Sequence, residues 1–219
     1  MRWDFTSVFA NTDALLAGAV GTVRIFAICL VLGLSLGLVV GLGRYARTKW
    51  LYLPATAFVE FFRNTPVLVQ ILWFYFAMPL LVPFAISPLA AAALGISLNS
   101  AAFSAEIYRA GIQSIERGQW DGARALGMGW GQAMRRIILP QAIKRMMPAL
   151  TNRAIEIFKM STLASAVAYV ELLQQAKLIA SINFNPIEAY SAVAVIFFVF
   201  LWPLVQFTYL LERRLKRDE

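Results

Sequence analysis

The hydrophobic residues of this chain fall into five long runs that are separated by more polar links. The runs cover residues 14–43, 51–81, 88–109, 149–169 and 189–211. About 20 residues in an apolar helix cross the ~30 Å hydrocarbon layer of a bilayer, and each run reaches that length. The pattern predicts an all-α membrane protein with five transmembrane helices.

The second run is too long for one straight span. As a single helix with a rise of 1.5 Å per residue, it would measure about 45 Å. Pro66, in the stretch "EFFRNTPVLVQ", lacks a backbone N–H group and disfavours helical geometry at Thr65. We therefore expect the helix to bend or break there, with Glu60 and Arg63 as a structural ion pair beside the break.

The first run is marked by glycines at a helical spacing. Gly33, Gly37 and Gly41 form two overlapping GxxxG steps. Small residues at this spacing let a second helix approach closely. The partner is either another helix of this chain or a helix of a second subunit.

The basic residues predict the orientation. Short links on the cytoplasmic side of membrane proteins are rich in Lys and Arg. The link at 79–87 has no charged residue, and 171–188 has Lys177 as its only cation. The cations of the other links and the tail are Arg44, Arg47, Lys49, Arg117, Arg124, Arg135, Arg136, Lys144, Arg145, Arg213, Arg214, Lys216 and Arg217. We expect the N-terminus outside and the C-terminus in the cytoplasm.

The pattern predicts a single transmembrane domain over 1–219. It contains no convincing internal repeat and no low-complexity stretch. The first 18 residues are mixed in character, and the apolar run that follows is long enough to span. We expect no cleavable signal peptide, so that the first hydrophobic helix is retained.

Composition supports a membrane protein and excludes several kinds of site. Hydrophobic residues make up 60% of the chain, and the mean hydropathy is +0.66. The 20 cations exceed the 12 acids, but basic helix ends explain that excess without nucleic-acid binding. With a single cysteine, Cys29, and no histidine, we expect no disulfide, no metal site and no Ser-His catalysis.

Ionisable side chains inside the fourth run are candidates for a pathway. Arg153, Glu156 and Lys159 are three residues apart and share about a third of the helix circumference. Such residues usually face a bundle interior or a water-filled path, so this face is predicted to line a translocation route. The alternative is a structural salt bridge of Glu156 with Arg153 or with Lys159.

Polar residues in two other runs are further candidates. Asn99 and Ser104 lie in the third run and Thr65 in the second, and an amide such as that of Asn99 both donates and accepts hydrogen bonds. Hydrogen bonding between helices is the alternative role for these residues.

The link at 111–147 contains a second candidate site. In "WDGARALG", Asp121 lies near a predicted helix start and Gly127 suits a left-handed stop. A rigid cytoplasmic helix with small residues such as Gly122 and Ala123 can pass force from a soluble partner to the bundle. The alternative is an amphipathic segment on the lipid surface, with its arginines facing headgroups.

Four stretches, in order, resemble one family. Asp121-Gly122-Ala123, then Gly127, and then Ile-x-Leu-Pro at 137–140 reproduce the spacing of the EAA motif of bacterial ABC importer permeases, with Asp for Glu and Gly for Ala. "FRNTPVLVQ" at 62–70, "AEIYRAGIQSI" at 105–115 and "ALGMGWGQAMRRIILPQA" at 125–142 resemble the polar amino-acid permeases of the histidine, glutamine and glutamate/aspartate uptake systems.

This resemblance implies a type I ABC importer permease fold in the bacterial inner membrane. It implies a second permease subunit, identical or related, two cytoplasmic ATPases and a periplasmic solute-binding protein. The chain has no phosphate-binding loop of its own, so we expect it not to be an ATPase. The resemblance implies no cofactor in this chain, with ATP and Mg²⁺ bound by the partner ATPase. The residues implied to contact the ATPase, as a coupling helix between spans 3 and 4, are Trp120, Asp121, Gly122, Ala123, Arg124, Leu126 and Gly127.

The resemblance also implies transport of an amino acid by alternating access, along a pathway in the bundle. The pathway residues that we expect, from their polar or ionisable character inside the apolar runs or their position beside Lys159, are Thr65, Asn99, Ser104, Glu156, Lys159, Met160, Ser161 and Thr162. Family members often have an acid at the position of Met160, and its loss beside Lys159 favours an acidic or neutral substrate such as glutamate, aspartate or glutamine. A gated channel and a structural membrane anchor are the alternative functions.

Overall fold

A computed structural model describes residues 4–46 and 48–215. All regular structure within these residues is helical. Arg47, Lys216 and Arg217, which contributed to the predicted orientation, lie outside the described residues. The α-helices are α1 (Thr6–Ala10), α2 (Thr12–Tyr45), α3 (Lys49–Asn64), α4 (Val67–Leu72), α5 (Met78–Leu81), α6 (Pro88–Gln113), α7 (Arg117–Ala125), α8 (Trp130–Ala133), α9 (Leu139–Met160), α10 (Leu172–Asn183) and α11 (Pro186–Leu215).

Four of the five predicted runs correspond to apolar helical segments of spanning length. Among the described residues, α2, α6 and most of α11 are each long and apolar enough to cross a membrane. The second run is divided at Pro66 into α3 and the segment Val67–Leu81, with a bend of 103° between them. The backbone at Thr65 and Pro66 is extended, so the structure breaks the helix at the predicted residue.

The fourth predicted run, 149–169, differs from the expectation of one apolar helix. α9 begins earlier, at Leu139, and ends at Met160, after which a 3₁₀-helix covers Ser161–Val167. The run is not among the described helices that are long and apolar enough to span alone. Its charged residues lower its hydropathy, and the tighter 3₁₀ turn shortens its α-helical part.

The glycines of α2 pack within this chain. A Cβ atom at Gly33 would lie 2.7 Å from the Cβ of Ser100, and one at Gly37 would lie 2.6 Å from the Cβ of Ser104. A Cβ at Gly41 would lie 2.9 Å from the carbonyl oxygen of Ala105. The GxxxG steps therefore serve the contact between α2 and α6, which is the intramolecular role.

A corner at residues 169–172 fixes the other end of α2. The backbone N–H of Leu172 donates to the Thr22 hydroxyl at 3.1 Å, and the Tyr169 hydroxyl donates to the carbonyl of Gly21 at 3.2 Å. Glu171 is fully buried, and its carboxylate accepts from the backbone N–H groups of Leu173 and Gln174 at the start of α10. Together these bonds attach the end of the 3₁₀-helix to α2.

Candidate functional site

The break at Pro66 exposes backbone carbonyls that polar side chains of the bundle satisfy. Gln70 donates through Nε2 to the carbonyls of Phe62 and Thr65, both at 3.1 Å. Asn99 of α6 donates through Nδ2 to the Phe62 carbonyl at 2.8 Å, and the Thr65 hydroxyl donates to the Phe61 carbonyl. Inside a membrane an unsatisfied carbonyl is unfavourable, so these bonds stabilise the break.

Arg153 of α9 lies at the centre of the polar cluster. Its side chain is only 5% exposed, and Nη2 donates to Asn99 Oδ1 and to Ser100 Oγ, both at 3.2 Å. Nη1 donates to Glu156 Oε2 at 2.7 Å, and the guanidinium carbon lies 4.6 Å from the centroid of the Phe103 ring. Arg153 thus links α9 to α6, and Asn99 continues the link to α3.

Three of the predicted pathway residues meet in this cluster, in different roles. Both polar atoms of the Asn99 side chain are bonded to protein groups on other helices. This is what we expect if Asn99 serves to hydrogen-bond helices together, which was its alternative role. Thr65 is half-buried and also bonded to the backbone. Glu156 pairs with Arg153, yet its side chain is 58% exposed and remains open to a ligand.

Ser104 lies away from the cluster. It is fully buried where α6 contacts Gly37 of α2, and its hydroxyl has no hydrogen-bond partner among the described residues. The structure therefore puts this side chain in a helix interface rather than beside Glu156 or Lys159.

The other predicted pathway residues follow at the end of α9. Lys159 is exposed, on the face that also carries the exposed residues Asn152 and Glu156. Met160 is half-buried against the apolar core. Ser161 donates to the Phe158 carbonyl at 2.6 Å and Thr162 donates to the Lys159 carbonyl at 2.8 Å, where the α-helix becomes a 3₁₀-helix. Of the predicted pathway residues, only Glu156 and Lys159 thus present charged groups on an open surface.

Sequence reasoning missed Gln70 and Phe103 as members of the cluster. Gln70 carries a usable signal, since it is a polar residue four positions after Pro66 in an otherwise apolar stretch. Phe103 carries none, because an aromatic residue in an apolar helix is most often ordinary core. The predicted ion pair of Glu60 with Arg63 is wrong: Glu60 lies 3.9 Å from Arg44 and accepts from Asn64, whereas Arg63 stacks on Phe103 at 5.2 Å.

The second candidate site is α7. Its end has the predicted geometry, since Gly127 has a φ of 72° and the N–H groups of Gly127 and Met128 donate to the carbonyls of Arg124 and Ala123. Trp120 packs against the cluster of Ile112, Ile115, Ile138, Ala142 and Met146, and Ala123 is 1% exposed. These two predicted contact residues therefore face the chain itself and hold α7 in place.

The opposite face of α7 is open. Leu126 is 78% exposed, and a Cβ atom at Gly118 or Gly122 would meet nothing within 4 Å. Asp121 and Arg124 are exposed and lie 3.4 Å apart at their nearest charged atoms. A partner would therefore contact a small, nearly neutral surface with one protruding leucine.

The helical backbone runs without a break from α8 to α9. A π-helical turn at Met134–Ile138 joins the two, so that residues 130–160 form one helical unit. Ile138, Ala142 and Met146 of this unit pack in the same cluster as Trp120, and Gln141 donates to Gln119 at 3.1 Å. The unit thus extends from the contact with α7 to Arg153, Glu156 and Lys159.

Known proteins resemble this chain over nearly its whole length. The family model of the binding-protein-dependent transport system inner membrane component matches residues 33–217. The glutamine transport system permease protein GlnP of Escherichia coli K12 is 36% identical over 99% of both chains, and the arginine transport system permease protein ArtQ of Bacillus subtilis is 32% identical over 100% of both. A crystal structure of an amino acid ABC transporter with histidines has a TM-score of 0.92 at 35% identity, covering 98% of this chain and 100% of that one.

Proposed function

Because this chain belongs to the family of inner membrane components of binding-protein-dependent transport systems, and is an amino-acid ABC importer permease, we propose that it forms half of a pore that imports amino acids by alternating access. It is a transport subunit and not an enzyme. The observation that carries the proposal is the helical unit 130–160, which extends from α7 to the exposed charges of Glu156 and Lys159. A displacement of α7 would therefore reach the pathway.

The proposed topology has five membrane crossings, with the N-terminus periplasmic and the C-terminus cytoplasmic, in the bacterial inner membrane. α2, the broken pair α3 to α5, α6 and α11 supply four crossings. α9 and the 3₁₀-helix supply the fifth, with its charged residues turned toward protein or pathway rather than lipid. The chain is one domain in this scheme.

The proposed partners follow from the family. An ABC importer permease works with a second permease, with ATPase subunits and with a solute-binding protein. We assign two ATPases, which bind ATP and Mg²⁺, to the cytoplasmic side. One contacts the open face of α7, and the other contacts the second permease. The second permease is a copy or a relative of this chain.

The proposed substrate is an acidic or neutral polar amino acid. Lys159 is exposed on the pathway face, and Met160 beside it has no charge. The acid on that face, Glu156, is paired with Arg153, so Arg153, Glu156 and Lys159 together carry a net positive charge. This charge favours a substrate whose side chain is negative or neutral rather than positive. The relatives named for arginine and for glutamine transport are 32% and 36% identical to this chain, so overall identity does not decide between their substrates.

Uptake into proteoliposomes that contain the complete complex tests this function. We expect ATP-dependent accumulation of labelled glutamate or glutamine, and less of arginine. Lys159→Met should lower that uptake by about tenfold, while Lys159→Arg retains most of it, because a charged contact contributes about 1.5–3 kcal/mol. Faster import of arginine would contradict the substrate preference, and equilibration of substrate without ATP would indicate a channel.

A further inference from the structure

Arg63 is an exposed cation at a rigid position. It lies in the last turn of α3, two residues before the extended Thr65. The carbonyl of the preceding residue, Phe62, accepts from both Asn99 and Gln70, which fixes the backbone at this point. The side chain is exposed, and within the described part of the chain no carboxylate lies within ion-pair distance of it.

Arg63 and Arg153 approach the same aromatic ring with different freedom. Their guanidinium carbons lie 5.2 Å and 4.6 Å from the centroid of Phe103. Arg153 is buried and bonded to Asn99, Ser100 and Glu156. Among the described residues, the Arg63 side chain has this ring contact but no hydrogen bond or ion pair. A guanidinium stacked on a ring keeps its N–H edge available, so Arg63 can still bind an anion.

We propose that Arg63 binds the α-carboxylate of the amino acid in transit. A planar guanidinium forms two parallel hydrogen bonds to a carboxylate, which is the most specific contact available for that group. Glu156 is paired with Arg153, whose guanidinium lies over the same ring, and the exposed carboxylate of Glu156 is suited to the substrate ammonium group. This assignment rests on the proposed import function and adds recognition of the part that all amino acids share.

The assignment separates two kinds of recognition. Arg63 would bind the α-carboxylate of the substrate, whereas Lys159, at the end of α9, would determine which substrate side chains are preferred. A change at Arg63 should therefore alter the response to any amino acid, without changing the order of preference among them. The structural alternative is that Arg63 only stabilises the C-terminal end of α3, as a cation in the last turn does.

Equilibrium binding to the purified complex of permease and ATPase subunits tests the proposal, with the solute-binding protein left out because it would itself bind the probes. The probes are labelled glutamine and glutamate, each beside a derivative in which the α-carboxylate is a neutral carboxamide. We expect wild-type complex to bind each amino acid about tenfold or more tightly than its carboxamide, since a charge-assisted pair is lost in the derivative. Arg63→Gln should weaken binding of the amino acids by a similar factor and leave the carboxamides unchanged, and Arg63→Lys should retain part of the discrimination.

The outcomes are distinct. Arg213→Gln, which removes an exposed cation at the far end of α11, is the matched control and should change neither ligand. Equal loss of binding for both ligands in Arg63→Gln, or no loss for either, would overturn the role of Arg63. Wild-type complex that neither binds nor imports these amino acids would instead refute the proposed function, and the inference with it.

Discussion

At the scale of single residues, the buried Arg153 shows how a charge is accommodated in an apolar bundle. The guanidinium is balanced by Glu156 at 2.7 Å and by the oxygen atoms of Asn99 and Ser100. The spacing of three residues predicted the pair with Glu156 as one alternative. The bonds to α6 could not be predicted, because they depend on the crossing of two helices that are far apart in the sequence.

Glu171 provides a prediction of pH dependence. It lies in the link between the fourth and fifth predicted spans, and burial raises the pKa of its carboxyl group from 4.5 to about 7, against the opposing effects of the Leu173 and Gln174 N–H groups and of Lys177. The folded protein therefore keeps this proton up to about pH 7, whereas the unfolded chain loses it above 4.5. Glu171 therefore contributes its full stability below pH 4.5. As the pH rises to about 7 that contribution is lost, and the free energy of unfolding falls by up to about 3 kcal/mol.

Glu171→Gln isolates this effect. Glutamine keeps a side-chain oxygen for the N–H groups at the start of α10 but does not titrate. We expect the melting temperature of the variant complex, relative to wild type, to rise between pH 5 and pH 8. Melting curves measured at several pH values should therefore converge at low pH and separate at high pH. A constant difference at every pH would show that Glu171 stays ionised in the folded protein.

At the scale of elements, the close contact of α2 with α6 yields a prediction for Gly37→Ala. The new Cβ would lie 2.6 Å from the Cβ of Ser104 and 2.9 Å from the carbonyl oxygen of Ala101. Neither atom is at the end of a flexible side chain, so the helices must move apart. We expect a loss of about 1–3 kcal/mol, measured as a lower melting temperature of the complex.

Gly118→Ala is the control for that substitution. A Cβ at Gly118 would meet nothing within 4 Å, and alanine favours a helix over glycine by up to about 1 kcal/mol. The melting temperature should stay the same or rise slightly. If Gly37→Ala behaves like Gly118→Ala, the contact of α2 with α6 is looser than the structure indicates.

The elements also show which signals the sequence carries. The break at Pro66 was predictable, because proline removes a backbone hydrogen bond wherever it lies. Apolar runs predicted α2, α6 and α11 to within a few residues. The end of α9 at Met160 was not predictable, because the hydroxyls of Ser161 and Thr162 bond to the preceding turn only once the 3₁₀-helix has formed.

For the candidate site, the sequence identified which charged residues are candidates for function, but not which residues they contact. Glu156 and Lys159 could be selected because ionisable residues in an apolar run are unfavourable without a role. The pairing of Glu60 with Arg63 was wrong because spacing along one helix does not reveal competition from Arg44 on another. The stacking of Arg63 on Phe103 likewise depends on the meeting of α3 with α6.

At the scale of the whole molecule, one continuous path of contacts joins α7, on the proposed cytoplasmic side, to the charged cluster. α7 is held by Trp120, which packs against the cluster that contains Ile138 and Ala142, and by the buried Ala123. The helical unit 130–160 continues from that cluster to Arg153. Arg153 in turn contacts α6, and through Asn99 it reaches the break after α3. A motion of α7 is therefore expected to move several helices together rather than α9 alone.

The last prediction concerns the surface where that motion starts. In a Cys29→Ser background, single cysteines at Gly122 and Leu126 are labelled with a short reagent that carries a maleimide and a photoreactive benzophenone. Illumination of the purified complex should then crosslink both positions to the ATPase subunit, because Gly122 lies on the open face of α7 and the exposed Leu126 follows its end. A cysteine at Ser181 of α10 is also exposed but belongs to the predicted periplasmic side, so it should form no crosslink with the ATPase. Adducts are identified by mass spectrometry. Crosslinks to the ATPase from position 181 but not from 122 or 126 would reverse the proposed orientation and remove α7 as the point of contact.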